Sequence, residues 1–392
     1  MRCLRVAVGM SGGVDSAVAA WLLKKKGFDV LGVYMINWDH VEEGTSSCPR
    51  TKDEADARRV CEKLDIPFTT VNFVKEYWNE VFVKMLDNYR RGRTVVPDIA
   101  CNSHIKFDHL HQYAIENLAA DFIATGHYAS TSYGDFQEKR EQGSGIRLLC
   151  GVDTLKDQTY FLCSLRQEQL RRAMFPVGSL TKTKVRQIAR DQGFDDIADK
   201  PESMGICFVG KRKNFEGFID QASLRYNLCT YIFICGFQYI EPRRGEIITL
   251  DGKHLGQHEG LHHFTLGKRI PIQGCHVGYF VAKLDAGSNT VYVCEGSYHP
   301  CLYATDFCVS EPHWIERNPL LDVNEATLEC RIQRTHPPVA CRVTRINGKL
   351  LSVQPRLPFR AVADGQMCVF YDGKECLGGG EVQRIISTLQ YN

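Results

Sequence analysis

No stretch of the 392-residue chain approaches the ~20 consecutive apolar residues that a membrane-spanning helix requires, so no membrane partner is expected. No C-x-x-C spacing occurs among the 17 cysteines, which removes the zinc knuckle and the thioredoxin-type redox pair from consideration. With no secretory signal, that odd count is expected to be mostly reduced, half-buried thiols in an intracellular, reducing compartment. Net charge is only +2, so a nucleic-acid partner is not declared by overall charge and has to be sought in where the charge lies. No long internal repeat or low-complexity tract is present. The glycine-rich turn near the start fits neither G-x-x-x-x-G-K-[ST] nor G-x-G-x-x-G, which sets aside the Walker loop and the dinucleotide fingerprint.

That turn is nevertheless the centre of the chain. Val6-Ala7-Val8-Gly9-Met10 reads as a short buried strand, Ser11-Gly12-Gly13-Val14-Asp15-Ser16 as the turn, and Ala17 to Leu23 as an Ala/Leu-rich helix closed by Lys24-Lys25-Lys26-Gly27. Adjacent glycines let backbone approach a phosphate, the Ser11 and Ser16 hydroxyls add donors, and the opening amides of the helix add partial positive charge. Ser-Gly-Gly-x-Asp-Ser resembles the pyrophosphate loop of ATP pyrophosphatases, which cleave ATP between the α and β phosphates and use the AMP part to activate a carbonyl oxygen.

Strand-like and helix-like runs alternate from the start to about residue 130: Val30–Met35, a helix opening at Thr51 with Glu54 in a capping box, Pro67–Val71, helices through 75–91 and 104–119, then Phe122–Thr125. Such alternation predicts a parallel sheet wrapped by helices, an α/β fold whose ligands gather at the carboxyl ends of strands. Ser11 to Ser16, Met35 and Gly126-His127 all fall there. Residues 131–147 read as an exposed loop or hairpin, followed by helices at about 166–174 and from Thr181 to about Gln192, closed by Gly193. Beyond residue 208 strands take over, with Asp251-Gly252, Asn347-Gly348 and Asp372-Gly373 as hairpin turns. The expected division is 1–208 for the catalytic α/β domain, 209–298 for a small β-rich unit and 299–392 for a C-terminal β-barrel.

Four further runs carry chemistry: Pro97-Asp98-Ile99-Ala100-Cys101-Asn102-Ser103-His104-Ile105-Lys106-Phe107, Ala124-Thr125-Gly126-His127-Tyr128, Lys156-Asp157-Gln158-Thr159-Tyr160-Phe161-Leu162 and Glu202-Ser203-Met204-Gly205-Ile206-Cys207-Phe208. In this order beside the opening loop, they closely resemble the tRNA 2-thiouridylase family, its eukaryotic mitochondrial branch best. Similar runs continue through Thr265-Leu266-Gly267-Lys268-Arg269 to Glu375-Cys376-Leu377-Gly378-Gly379-Gly380. The resemblance implies a three-domain enzyme, with an N-terminal pyrophosphate-loop domain, that replaces the C2 oxygen of the wobble uridine with sulfur. ATP and Mg2+ are the implied cofactors. The implied partners are tRNA and a persulfide donor, either a cysteine desulfurase or a sulfur-relay protein. The mitochondrion is the implied location, with the cytoplasm as alternative; the first 14 residues carry Arg2 and Arg5 and no acid, which is compatible with organelle import.

The resemblance also implies roles for particular residues. Gly9, Met10, Ser11, Gly12, Gly13, Val14, Asp15, Ser16, Met35 and Gly126 contact the nucleotide. Cys207 takes up the persulfide sulfur, and Cys101 either resolves that persulfide or forms a disulfide with Cys207 after transfer. A helix N-terminus at the front of 104–119 is expected to lower the Cys101 pKa, with Asp98 as its acid/base partner. Val96, Pro97, Asp98, Lys156, Asp157, Gln158, Arg331 and Arg334 contact the tRNA. No metal ligands are assigned, and His127 is left unassigned, because a lone histidine after a strand is more often structural. Between Glu329 and Asp364 there are no acids, whereas Arg331, Arg334, Arg342, Arg345, Lys349, Arg356 and Arg360 are present, a one-sign strip that suggests a phosphate-backbone surface. Lys211-Arg212-Lys213 is a second candidate contact.

Three features depart from the family. Val96 stands where an asparagine that helps to hold the target base is usual. About 17 residues, 222–238, are apolar, β-prone and free of acid, and read as an insertion, of the kind a retained intron or gene-model error would leave. Arg331-Ile332-Gln333-Arg334 only loosely matches the arginine-aromatic contact expected there. These departures motivate the alternative of a catalytically impaired tRNA- and ATP-binding homologue. A ligase of the argininosuccinate or NAD synthetase kind needs neither the cysteine pair nor the basic barrel, and a plain nucleotide sensor leaves both cysteine motifs unexplained.

Overall fold

The structure, a computed structural model, describes residues 3–38, 49–140, 143, 145–202, 240–272 and 277–390. The segment 222–238, the Lys211–Lys213 triplet and Cys207 lie outside the described residues.

Strand β1 (Arg5–Gly9) has Val6, Ala7 and Val8 buried on both faces, as a central parallel strand requires. Helix α1 (Val14–Lys25) follows, with Lys24 and Lys25 in its last turn and Gly27 beyond it at φ +85°, a left-handed stop that a side chain would strain. The chain continues through β2 (Asp29–Ile36), α2 (Pro49–Lys63) and β3 (Phe68–Asn72), then crosses back to β4 (Phe122–Ala124). Because α2 opens at Pro49, the expected Thr51–Glu54 box lies inside the helix rather than at its start. A hairpin, β5 (Ala129–Thr131) with β6 (Leu148–Cys150), interrupts the alternation before β7 (Ala173–Met174). The expected helix over 166–174 is one turn, Gln167–Leu170, followed by that strand. The sheet order is β3-β2-β1-β4-β7, every pairing parallel. The order reverses between β1 and β4, so their carboxyl ends open a crevice.

The middle sheet comprises β8 (Gly245–Thr249), β9 (His254–His258), β10 (Arg269–Ile270), β11 (Tyr279–Asp285) and β12 (Thr290–Glu295), ordered β10-β11-β12-β8-β9. The last region holds β13 (Tyr303–Ser310), β14 (His313–Trp314), β15 (Glu325–Arg331), β16 (Val339–Asn347), β17 (Leu350–Pro355), β18 (Phe359–Arg360), β19 (Met367–Asp372) and β20 (Glu375–Thr388). Pairing runs β13-β17-β16-β15-β19-β20 and returns from β20 to β13, closing a six-stranded barrel. The three Asp-Gly and Asn-Gly turns join β8 to β9, β16 to β17 and β19 to β20, where they were expected.

The barrel is fastened to the α/β domain. Strand β20 pairs through Glu375 and Cys376 with Leu149 and Leu148 of β6, so the β5–β6 hairpin is an arm on the barrel sheet; Thr131, Tyr133, Asp135, Gln137 and Ile146 are buried, so the described part of 131–147 is not the exposed segment expected. Thr94 donates its backbone N–H to the Asp364 carbonyl at 2.8 Å, and Arg93 meets Glu381 at 2.6 Å. One core cluster accordingly runs from Val33 and Ile123 to Val369 and Tyr371.

Candidate functional site

The loop after β1 is shaped by its own hydroxyls. Ser16 Oγ lies 3.2 Å from Ser11 Oγ, accepts the Ser11 backbone N–H at 3.2 Å and donates to the Gly13 carbonyl at 3.0 Å. Gly13 caps α1 with no side-chain bond, which leaves the opening amides of the helix to an anion. Gly12 has φ +72°, and a Cβ there would stand 2.3 Å from the Asp53 carbonyl oxygen. Gly126, at the end of β4, is pressed on the same loop: a Cβ would lie 2.7 Å from Asp15 C and Ser16 N. Met10 is buried, and the Met35 methyl sits 3.9 Å from the Cβ position of Gly9. The residues assigned to the nucleotide therefore meet at the switch point.

Two lysines distant in sequence complete this crevice. Lys182 Nζ binds both carboxylate oxygens of Asp15, at 2.7 and 2.8 Å, while the Tyr128 hydroxyl donates to Asp15 Oδ1 at 2.7 Å. Burial and the Asp15 charge together push the Tyr128 pKa far up, so it stays a donor. Lys200 Nζ reaches the Gly12 carbonyl at 3.0 Å, Asp53 at 2.6 Å and Asp56 at 2.7 Å. Burial works against its charge, but the bonds to Asp53 and Asp56 outweigh it and hold the pKa above the ordinary lysine value. Lys182 and Lys200 were missed from sequence; the only local signal was Thr181, which caps helix Lys182–Asp191 by accepting from the Lys184 N–H and so fixes where Lys182 projects.

The first cysteine motif forms a helix sooner than expected. A turn over Pro97–Ala100 runs directly into a π-helical stretch over Cys101–His109, so Cys101 lies inside a helix that begins at Pro97. The N-terminus expected just ahead of residue 104 is therefore absent, because Pro97, needing no amide partner, opens the helix instead. Asp98 and Cys101 are three residues apart and share a face. Cys101 is only 5% exposed. Burial raises the Asp98 pKa despite the opposing charge of Lys106, which favours the protonated acid. Val96 holds the N-cap position in extended conformation with no side-chain cap bond, packed against the core.

The Lys156–Gln158 turn connects the crevice to the barrel. Gln158 accepts the Tyr128 backbone N–H at 3.0 Å. Lys156 binds the Glu202 carboxylate at 2.7 and 2.9 Å, and this bond chiefly lowers the Glu202 pKa. Asp157, 1% exposed, accepts from the Gly151 N–H at 3.1 Å, the Thr159 hydroxyl at 2.8 Å and Arg331 Nη1 at 3.1 Å. Arg331, 6% exposed, also stacks on Tyr371 at 4.9 Å. Asp157 and Arg331 face each other across the domain junction.

The basic strip divides in the same way. Arg345 is held by Glu311 and Arg360 by the carbonyls of Ser297 and Gly267, while Arg342, Lys349 and Arg356 are exposed. Arg334 is partly exposed and donates to the Leu155 carbonyl at 2.8 Å. His127 is buried between Phe107 and Phe175, shares a 2.7 Å bond with Thr125, and is held neutral mainly by burial, which marks it as structural. Burial also pushes Cys61 and Cys163 up to about 12 and Cys150 up to about 11, the behaviour of inert thiols.

Residues 4–211 match the family described as the tRNA methyl transferase HUP domain, 234–295 its PRC-barrel domain and 304–382 the aminomethyltransferase beta-barrel domain. A probable mitochondrial tRNA-specific 2-thiouridylase 1 of Caenorhabditis elegans is 55% identical over 391 residues, covering 98% of this chain and all of that protein. The mitochondrial tRNA-specific 2-thiouridylase 1 of Homo sapiens is 42% identical, covering 98% and 92% of the two chains. A tRNA-specific 2-thiouridylase of Alkaliphilus oremlandii is 42% identical, covering 97% and 98%. Among solved structures, the NMN synthetase of Francisella tularensis aligns with a TM-score of 0.33 at 19% identity, covering 55% of this chain and 71% of that one.

Proposed function

The chain belongs to the tRNA-specific 2-thiouridylase family, and from that premise we propose how its residues carry out ATP-dependent thiolation of tRNA. The observation that carries the reading is the Ser11–Ser16 loop at the switch point, its helix amides and hydroxyls gathered in one crevice with Gly126. Methyl transfer, the chemistry in the family description, has no use for such a loop. Displacing a uracil C2 oxygen does, because that oxygen is a poor leaving group until it is adenylated.

In this reading the C2 oxygen bonds to the α-phosphorus of ATP and pyrophosphate leaves into the Ser11–Ser16 loop. Asp15, paired here with Lys182, would offer its carboxylate to magnesium and leave the Lys182 ammonium for the charge that builds on phosphate. The terminal sulfur of a Cys207 persulfide attacks C2, and the C2–O bond breaks as AMP departs. The Cys101 thiolate then attacks the inner Cys207 sulfur and takes the Cys207–S bond's place, leaving a Cys101–Cys207 disulfide and the thiolated base. Asp98 exchanges the proton of this sequence. Lys156 and Gln158 contact the tRNA near the target base. Arg342, Lys349 and Arg356, with the partly exposed Arg334, offer cations for the phosphate backbone, and Pro97 opens the helix beside the base. The relatives' names carry the mitochondrial assignment to this chain, and a persulfide-delivering protein is its sulfur donor.

The test is nucleoside mass spectrometry on unmodified tRNA incubated with the chain, magnesium, ATP and a persulfide donor. 2-Thiouridine is expected only with ATP and only when Cys207 is intact; tRNA and ATP binding without thiolation would overturn the reading.

A further inference from the structure

The connection from the middle sheet to the C-terminal barrel carries a cluster that thiolation does not use. Cys294 lies near the end of β12, His299 caps the single helical turn Pro300–Leu302, and Cys301 sits within that turn. Their two sulfurs and a ring nitrogen all lie within 4.8 Å of one another. His299 Nδ1 accepts the Cys301 backbone N–H at 3.3 Å, which sets the ring against the turn. Cys294 is buried, its thiol donating to the Phe280 carbonyl at 3.7 Å, while His299 and Cys301 are partly open to solvent. The cluster is therefore backed by the middle domain and reachable from outside.

We infer that Cys294, His299 and Cys301 form a binding site for a soft divalent cation, zinc by ligand set, that clasps the middle domain to the C-terminal barrel. Two thiolates and an imidazole suit zinc, whereas magnesium and calcium take oxygen ligands. Three protein donors leave one tetrahedral position for water. The place fits a clasp because both domains already hold this loop: Arg360 of β18 reaches the Ser297 carbonyl at 3.1 Å and, in the middle domain, the Gly267 carbonyl at 3.3 Å, while Gly296 donates its N–H to the Gly278 carbonyl at 2.9 Å. The histidine separates this reading from a simple disulfide, which would need only the two sulfurs. Metal binding exchanges the two thiol protons for bonds to the ion and involves no oxidation.

The full chain, reduced and stripped with a chelator, is titrated with zinc against a chromophoric chelator and separately with cobalt(II). One equivalent is expected to bind, cobalt giving a thiolate charge-transfer band that is lost in Cys294→Ser and Cys301→Ser and kept in Cys101→Ser and Cys3→Ser. His299→Ala is expected to weaken binding roughly 10-fold or more. Zinc raises the melting temperature of the parent and not of the site variants, since it binds the folded form. Cys294→Val, which suits a buried strand position, replaces the serine variant if that one misfolds. A chain that holds no zinc when reduced, a band that survives in the site variants, or a native Cys294–Cys301 disulfide in a chain without metal overturns the assignment.

Discussion

Two polar clusters lie on either side of Tyr128, and they handle their hydrogen-bonding groups in opposite ways. In the Ser11–Ser16 loop, Gly13 caps α1 without a side chain and leaves amides facing the crevice. Around Asp157, the carboxylate is filled by Gly151, Thr159 and Arg331, and water is excluded. Both look alike as sequence, short polar runs at the ends of extended segments. The difference is satisfaction: the buried Asp157 carboxylate is spent on its neighbours, with Arg331 Nε the donor of that pair left without a partner among the described residues, whereas the opening amides of α1 are left over at a crevice.

Arg331→Met tests the closed side and carries the largest expected effect. It leaves Asp157 buried without its cation, and chemical denaturation is expected to show a loss of about 3–5 kcal/mol. Adding Asp157→Asn is expected to recover most of that, because the unpaired charge goes with it. A single variant as stable as the parent would mean that the pair is not closed in solution and that Arg331 is available to tRNA.

Ser16→Ala and Lys182→Met test the open side. Each removes a polar group that shapes the crevice, and thiolation is expected to fall on the order of 10²–10³-fold, with a smaller stability loss of about 1–2 kcal/mol, because Ser16 is buried and hydrogen-bonded and Lys182 is paired with Asp15. The two sets thus separate, one moving stability and the other turnover. Equal losses of stability in both would erase the distinction drawn between the clusters.

The open side was the more legible in sequence for a physical reason. Six adjacent residues, Ser11 to Ser16, hold the loop's own geometry, and the Asp-Gly and Asn-Gly turns likewise carry their conformation locally. Asp157 and Arg331 meet across 174 positions, and no local pattern shows that each is filled by the other. Lys182 and Lys200 reach the loop over 167 and 188 positions, equally beyond local signals. Strand β7, two residues long, is too short to show a period, so it read as the end of a helix. The early helix start at Pro97 was missed because the expected helix opened only at residue 104.

Asp98 sharpens the comparison by pH. Burial raises its folded pKa above the ordinary carboxylate value, so the folded chain binds the proton more tightly than the unfolded one. Stability from this group is therefore full below the unfolded pKa and declines as pH rises toward the raised folded value. Asp98→Asn is expected to match the parent's stability in acid and to exceed it increasingly toward neutral pH, while thiolation falls. Parallel stability curves for the two proteins would show that Asp98 is not desolvated and would remove the reason to assign it the proton.

Val96 carries the smallest effect and sits between the two regimes. It occupies the N-cap of the helix that leads to Cys101, offers no acceptor there and packs against the core. An asparagine has the acceptor: its side-chain oxygen can take the N–H of Asp98 or Ile99, worth about 1 kcal/mol, less what the valine methyls contribute by burial. For a domain of this size that is a rise of at most about 2–4 °C in melting temperature. Because the valine is packed rather than presented, Val96→Asn is expected to leave the thiolation rate within about 2-fold, since small changes away from reacting atoms are small in free energy. A rate rise well beyond that would place residue 96 against the base and make its side chain part of the open site.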